Sequence, residues 1–278
     1  MRHLIVLTAA VALAATAANA APKPKATDWR TPDPANVLVI DTNKGRVVVE
    51  LVPEVAPGHT ARLTELARKG TYDGRTFFRV IDRFMAQTGD PLNTGEGSVE
   101  GVPNLKAEFT FRRDATDSFV PVAAPQGTQV GLLKSLPVVS QDISYTAMTG
   151  DKKVSAWGTY CPGVVGMARD ENPDSANSQF FLMRYAYPSL DKRYTAFGRV
   201  ISGLEVIRAI KTGEPVQAPQ DLMQKVRVLA DIPEAERPKV RIIDPKSPWF
   251  AGEVKRVRQL KGADFSVCDI ELPVEITP

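Results

Sequence analysis

Few side chains in this sequence can act as acids, bases or nucleophiles near neutral pH, and that scarcity narrows the chemistry. The 278 residues hold two histidines and two cysteines: His3, His59, Cys161 and Cys268. His3 lies in a leader-like N-terminus, so His59 is the one imidazole of a processed chain. The three remaining His and Cys side chains cannot build a four-ligand zinc site within one chain. A serine or cysteine nucleophile would need His59 as its base, yet no G-x-S-x-G elbow is present. His59 follows Pro57-Gly58 at a predicted helix start and is read as a surface residue. Gly95-x-Gly97 precedes no predicted helix, which argues against a phosphate cradle.

What is left is a cation among aromatics. Arg79 sits in a β-branched and aromatic run with Phe77, Phe78, Val80 and Ile81. Strand alternation puts Arg79 on the face of Phe77 and Ile81. Phe84, Met85 and Gln87 follow just beyond the Asp82-Arg83 turn, and a second block, NSQFFLM, supplies Gln179, Phe180 and Phe181. Taken singly, a strand arginine is a solvent-facing residue and the aromatics are core. Only their joint arrangement points to a site.

The elements that must position these residues are mostly short strands. VLVIDTNKGRVVVELV is two β-branched runs around Asn43-Lys44-Gly45, a hairpin pattern. Thr60 to Lys69 reads as a helix stopped by Gly70. Further strands are expected at Thr76–Ile81, Phe84–Thr88, Leu105–Phe111, Gly163–Ala168, Gln179–Met183 and Ala196–Val200. A second helix is expected over Leu204–Lys211. Residues 112–160 show no sustained period and should carry short elements of their own, since a bare loop that long is rare. The tail offers a helix over Phe250–Lys261 with Phe250, Val254, Val257 and Leu260 on one stripe, then a strand over Phe265–Leu272. The cations Lys255, Arg256, Arg258 and Lys261 read as that helix's solvated face. Many short strands with few helices predict a mainly β fold, a closed antiparallel barrel or sandwich.

Composition agrees with a folded globular chain, with 43% apolar and 24% charged residues. The formal charge of +3 argues against a dedicated nucleic-acid binder. Residues 1–20 have a short positive start, an apolar run and Ala18-Asn19-Ala20, which reads as a signal peptide cleaved after Ala20. The product is expected in the periplasm or secreted, with no membrane span in the mature chain. Residues 21–35 read as an exposed linker and 36–278 as one domain. Cys161 and Cys268 are 107 positions apart, and the sequence leaves open whether they pair or remain thiols.

The order of the blocks is more specific than any of them. YDGRTFFRVIDRFMAQTGDP, GVVGMAR, NSQFFLM and LDKRYTAFGRV follow one another as in the cyclophilin peptidyl-prolyl cis/trans isomerases, which this chain closely resembles over Val37 to Phe111 and Cys161 to about Lys211. The resemblance implies a closed eight-stranded antiparallel barrel capped by two helices. To this the chain adds the insertion at 112–160 and a C-terminal helix-strand extension at 213–278. It also implies rotamase activity on X-Pro bonds, with no metal, nucleotide or other cofactor. Arg79 matches the catalytic arginine. Phe84, Met85, Phe181 and Leu190 match the proline pocket, Gln87 and Gln179 its polar contacts, and Ala168, Arg169 and Tyr194 the peptide path. Three positions depart from the family pattern: Ser189 replaces a frequent tryptophan, Tyr194 a histidine and Arg169 an asparagine. The implied partners are unfolded or flexible proline-containing polypeptides, bound by a monomer. The alternative is a non-catalytic module that binds proline peptides on the same scaffold.

Overall fold

The computed structural model describes residues 22–278, so the expected leader at 1–20 lies outside the described residues. The strands are β1 (Trp29–Arg30), β2 (Val37–Thr42), β3 (Gly45–Leu51), β4 (Arg79–Val80), β5 (Met85–Thr88), β6 (Phe111–Arg113), β7 (Phe119–Ala123) and β8 (Thr128–Leu133). They continue with β9 (Leu136–Gln141), β10 (Val154–Gly158), β11 (Val164–Met167), β12 (Phe180–Met183), β13 (Ala196–Ser202), β14 (Met223–Val228), β15 (Lys239–Ile243) and β16 (Val274–Thr277). The helices are α1 (Pro57–Arg68), α2 (Leu204–Ala209) and α3 (Pro248–Lys261).

The main sheet is antiparallel, in the order β14-β2-β3-β13-β11-β12-β5-β4. Its strands read as unbroken apolar runs because both faces are covered. In β12, Phe180 and Leu182 enter the inner cluster with Leu38, Val49, Leu63 and Phe197. Their neighbours Phe181 and Met183 face a second cluster with Met85, Tyr160, Leu132 and Phe250. In β2, Val37 and Val39 turn away from the inner cluster and are covered by Leu229 and Val240.

The sheet curls but does not close, which corrects the expected closed barrel. Its edge strands β14 and β4 are not paired with each other. Their flanks meet through the isolated bridges Thr76–Leu222 and Val80–Gly213 and through scattered backbone hydrogen bonds, such as the Phe77 amide to the Asp221 carbonyl at 2.9 Å. A continuous ladder cannot form there: β4 is two residues long, and Pro215 and Pro219 in the facing segment lack an N–H to donate. The result is an open half-barrel. The short β4 also breaks the expected alternation, because Phe77 and Val80 both pack in the inner cluster.

Residues 112–160, with Phe111, form a five-stranded sheet in the order β6-β10-β9-β8-β7, stacked against the second cluster. A third sheet, β1-β15-β16, corrects two expectations. Within the stretch read as an exposed linker, Asp28 is buried and Trp29–Arg30 pairs with β15. The tail strand lies at Val274–Thr277 rather than 265–272, where short 3-10 turns occur instead. The expected tail helix is present as α3, started by Pro248 and by the Ser247 hydroxyl, which accepts from the Phe250 amide at 3.1 Å. Cys161 and Cys268 are bonded, with Cα atoms 5.0 Å apart, which ties the tail to the segment behind β11. No helix among the described residues is long and apolar enough to cross a membrane.

Candidate active site

The strand register assembles the site. Arg79 pairs with Gln87, Gln87 with Phe181, and Phe181 with Gly166, so one row crosses β4, β5, β12 and β11. That row places a cation, an amide, a ring and a gap side by side. The gap is required: a Cβ on Gly166 would lie 2.5 Å from Phe181 Cζ and 2.7 Å from Tyr160 Oη. The phenylalanine ring therefore occupies space that only glycine leaves open. Phe181 is held between Tyr160, stacked at 5.8 Å, and Tyr194, edge-on at 5.9 Å.

These residues enclose a cavity of about 170 Å³ lined by Arg79, Phe84, Met85, Gln87, Ala168, Arg169, Phe181, Leu190 and Tyr194. Nine of the ten positions named from the sequence thus line one hollow. The tenth, Gln179, lies just behind Gln87 and orients it. Gln179 donates to the carbonyls of Gly95 and Gly97 at 3.0 and 2.9 Å, and its Oε1 accepts from Gln87 Nε2 at 3.0 Å. Gln87 Oε1 in turn accepts from Arg79 Nη1 at 3.3 Å.

The loop that anchors Gln179 is organised by Asp90, which is fully buried. Its carboxylate accepts from the amides of Leu92 and Thr94, each at 2.8 Å, and from that of Gly95. Burial pushes the Asp90 pKa up, but these amides and that of Gly97 outweigh it and hold the carboxyl below its ordinary 3.8. Gly97 is a second position with no room for a side chain: a Cβ there would sit 1.8 Å from Asp90 Oδ1.

Arg79 has a further partner that the sequence reading missed. Its Nε donates to Glu214 Oε1 at 2.6 Å, across 135 positions of chain. The guanidinium is thus gripped on two edges, by Glu214 and by Gln87. Its side chain remains 38% exposed, so it borders the cavity without being sealed. Tyr187, also missed, packs on Phe84 with ring centroids 4.6 Å apart. It supplies an aromatic neighbour close to Ser189, which is exposed.

His59 corrects the surface reading. It is 1% exposed, and its Nδ1 lies 2.7 Å from Glu108. Glu108 also accepts from the Gly58 and His59 amides at 3.0 Å each, capping α1 in place of a local Ser or Asp. Burial alone would raise the Glu108 pKa; the bonds from His59 and the two amides hold it below the usual range. This pair serves the helix start and does not line the cavity.

A curled antiparallel sheet with an arginine, an amide relay and an aromatic-lined hollow in one row has the chemistry to seat an apolar ring beside a fixed cation. Comparison with known proteins agrees. Residues 37–230 match the family model described as cyclophilin type peptidyl-prolyl cis-trans isomerase/CLD. A probable peptidyl-prolyl cis-trans isomerase of Brucella suis biovar 1 is 35% identical over 185 residues, which cover 66% of this chain and 76% of that protein. Peptidyl-prolyl cis-trans isomerase ppi1 of Schizosaccharomyces pombe is 30% identical over 169 residues, 61% of this chain and 81% of that one. The crystal structure of cyclophilin AquaCyp293 from Hirschia baltica superposes with a TM-score of 0.82 at 32% identity, covering 89% of this chain and 93% of that chain. The chain belongs to the cyclophilin-type peptidyl-prolyl cis-trans isomerases and is an isomerase of that kind.

Proposed function

We propose that this isomerase acts outside the cytoplasm on X-Pro bonds in unfolded or flexible segments of exported proteins, with Arg79 as its catalytic residue. The leader-like sequence at 1–20 and the Cys161–Cys268 disulfide support an oxidising compartment. The observation that carries the assignment to Arg79 is its two-edged anchoring by Glu214 and Gln87 at the border of the aromatic cavity.

The chemistry follows from the amide. Rotation about C–N is opposed by ~18–20 kcal/mol because the nitrogen lone pair is delocalised into the carbonyl. In the twisted state that lone pair returns to the prolyl nitrogen. A donor fixed beside it binds the twisted form better than the planar one, which lowers the barrier. Arginine suits this role because it is always charged and carries a rigid fork of donors. Phe84, Met85, Phe181 and Leu190 hold the pyrrolidine ring and exclude water. Gln87, held by Gln179 from behind, orients the chain, and Ala168, Arg169 and Tyr194 border its path. Only non-covalent contacts are asked of the protein.

Exchange NMR on a short Ala-Pro peptide tests this reading. Arg79→Ala should slow catalysed cis/trans exchange by about 10²-fold, the scale of losing one preorganised electrostatic donor. Exchange equal to wild type would reject Arg79. Peptide binding by the wild-type protein with no acceleration would leave a proline-peptide-binding module instead.

A further inference from the structure

We infer that the rim of the cavity selects X-Pro segments flanked by acidic side chains; this rests on the isomerase reading and names its substrate class. Arg169 lines the cavity, and two groups of cations adjoin its wall residues. One adjoins the wall residue Phe84: Arg83 and Arg208 lie over the Tyr185 ring at 5.7 and 5.1 Å, and the Tyr185 amide donates to the Phe84 carbonyl at 3.4 Å. The other adjoins Tyr194. Arg169 lies 4.5 Å from that ring and 5.5 Å from Phe109, and it donates to the Arg193 carbonyl. Lys192 sits 3.6 Å from the centre of the Trp157 ring.

What matters at the rim is that several such cations are clustered around one cavity. Among the described residues, Arg83, Arg169, Lys192 and Arg208 have no carboxylate within 4.0 Å. Elsewhere two ring-supported arginines are neutralised, Arg113 by Asp117 at 2.8 Å and Arg241 by Glu275, while Arg258 over Phe265 stands alone and donates to the Val122 carbonyl. At the rim, aromatic faces fix the cations without cancelling them, and the positive potential stays available to a ligand. The nearby acidic side chains do not reverse the sign. Asp82 faces Arg184 at 3.8 Å, Asp191 accepts from the Tyr160 amide, and Glu214 is taken by Arg79. Asp170, Glu171 and Asp191, the last lying beside Lys192, stand against four ring-supported cations and the total stays positive. Arg83 and Lys192 also stand at φ of 55° and 59°, where glycine or asparagine is the less strained choice. An extended chain seated in the cavity would bring its neighbouring side chains within the ~8 Å over which such charges act.

The test uses three peptides with the same Ala-Pro centre, flanked by Glu, Ala or Lys, and reads kcat/KM by exchange NMR. The Glu peptide should exceed the Ala peptide by about three- to tenfold, and the Lys peptide should fall below it. The spread should collapse near 1 M salt, where the screening length is ~3 Å. The double variant Arg83→Asn/Lys192→Asn suits the local backbone, so it keeps the fold while removing two charges, and it should narrow the spread at low salt. Equal rates for the three peptides, a Lys preference, or a Glu preference untouched by salt would overturn the inference. Failure of the wild type to accelerate even the Ala peptide would overturn the isomerase reading beneath it, which separates the two failures.

Discussion

Glu214→Gln is the most informative single substitution at this site, because stability and catalysis should respond differently to it. The Arg79–Glu214 pair is solvent-facing, with side chains 38% and 56% exposed. Exposed pairs contribute only about 0–1 kcal/mol to folding. Glutamine keeps an oxygen that can accept from Arg79 Nε and loses the charge, which about halves the strength of such a bond. The Gln87 grip at 3.3 Å remains. Orientation of the guanidinium is therefore weakened by about 0.5–1 kcal/mol, and at 1.36 kcal/mol per tenfold this becomes roughly a two- to fivefold fall in kcat. KM should hold, since Glu214 is not among the cavity-lining residues. The thermal midpoint should move by less than about 3 °C. The assay is saturating exchange NMR on an Ala-Pro peptide beside a melting curve. A rise in kcat would mean that Glu214 restrains the cation rather than positioning it, and a change confined to KM would place it in binding; either result refutes the reasoning.

Gly166→Ala forces a methyl against Phe181 and Tyr160 at 2.5 and 2.7 Å. It should cost about 1–3 kcal/mol by overpacking, read by urea denaturation, and weaken peptide binding as the ring shifts. Cys161→Ser with Cys268→Ser releases a loop spanning 107 positions. Chain-entropy scaling sets a loss of up to about 4.7 kcal/mol in folding free energy, while Ala-Pro exchange persists in the cold, where the double variant stays folded. Asp90 sets a pH dependence. Its folded pKa is below 3.8, so its contribution is complete above about pH 5 and fades as pH falls through the lowered value. Asp90→Asn should be less stable than wild type at neutral pH and flatter between about pH 5 and 2, as followed by denaturation at each pH.

The strands VLVI, VVVEL and FFLM, the helix start at Pro57 and a tail helix over Phe250–Lys261 were legible because alternation, β-branching and capping are local properties. The cavity-lining residues were legible too, since four blocks in a fixed order carry them. Other features depend on distant packing. His59 looked like a surface residue because its partner Glu108 is 49 positions away. The linker stretch looked exposed because β15, which pairs with Trp29–Arg30, comes some 200 residues later.

The amino-acid sequence alone settled the strands of the main sheet's hairpin and of FFLM, which residue types reach the cavity, and that the chemistry leads with neither a histidine nor a thiol. Only the tertiary structure decided that the half-barrel stays open, that Cys161 meets Cys268, that Gly166 opens space for Phe181, and that Glu214 steadies Arg79. The division has one physical cause. Backbone preference and side-chain alternation act over a few residues, whereas register, close approach and ion pairing are settled when remote segments compete for the same buried volume and for the same hydrogen-bond partners.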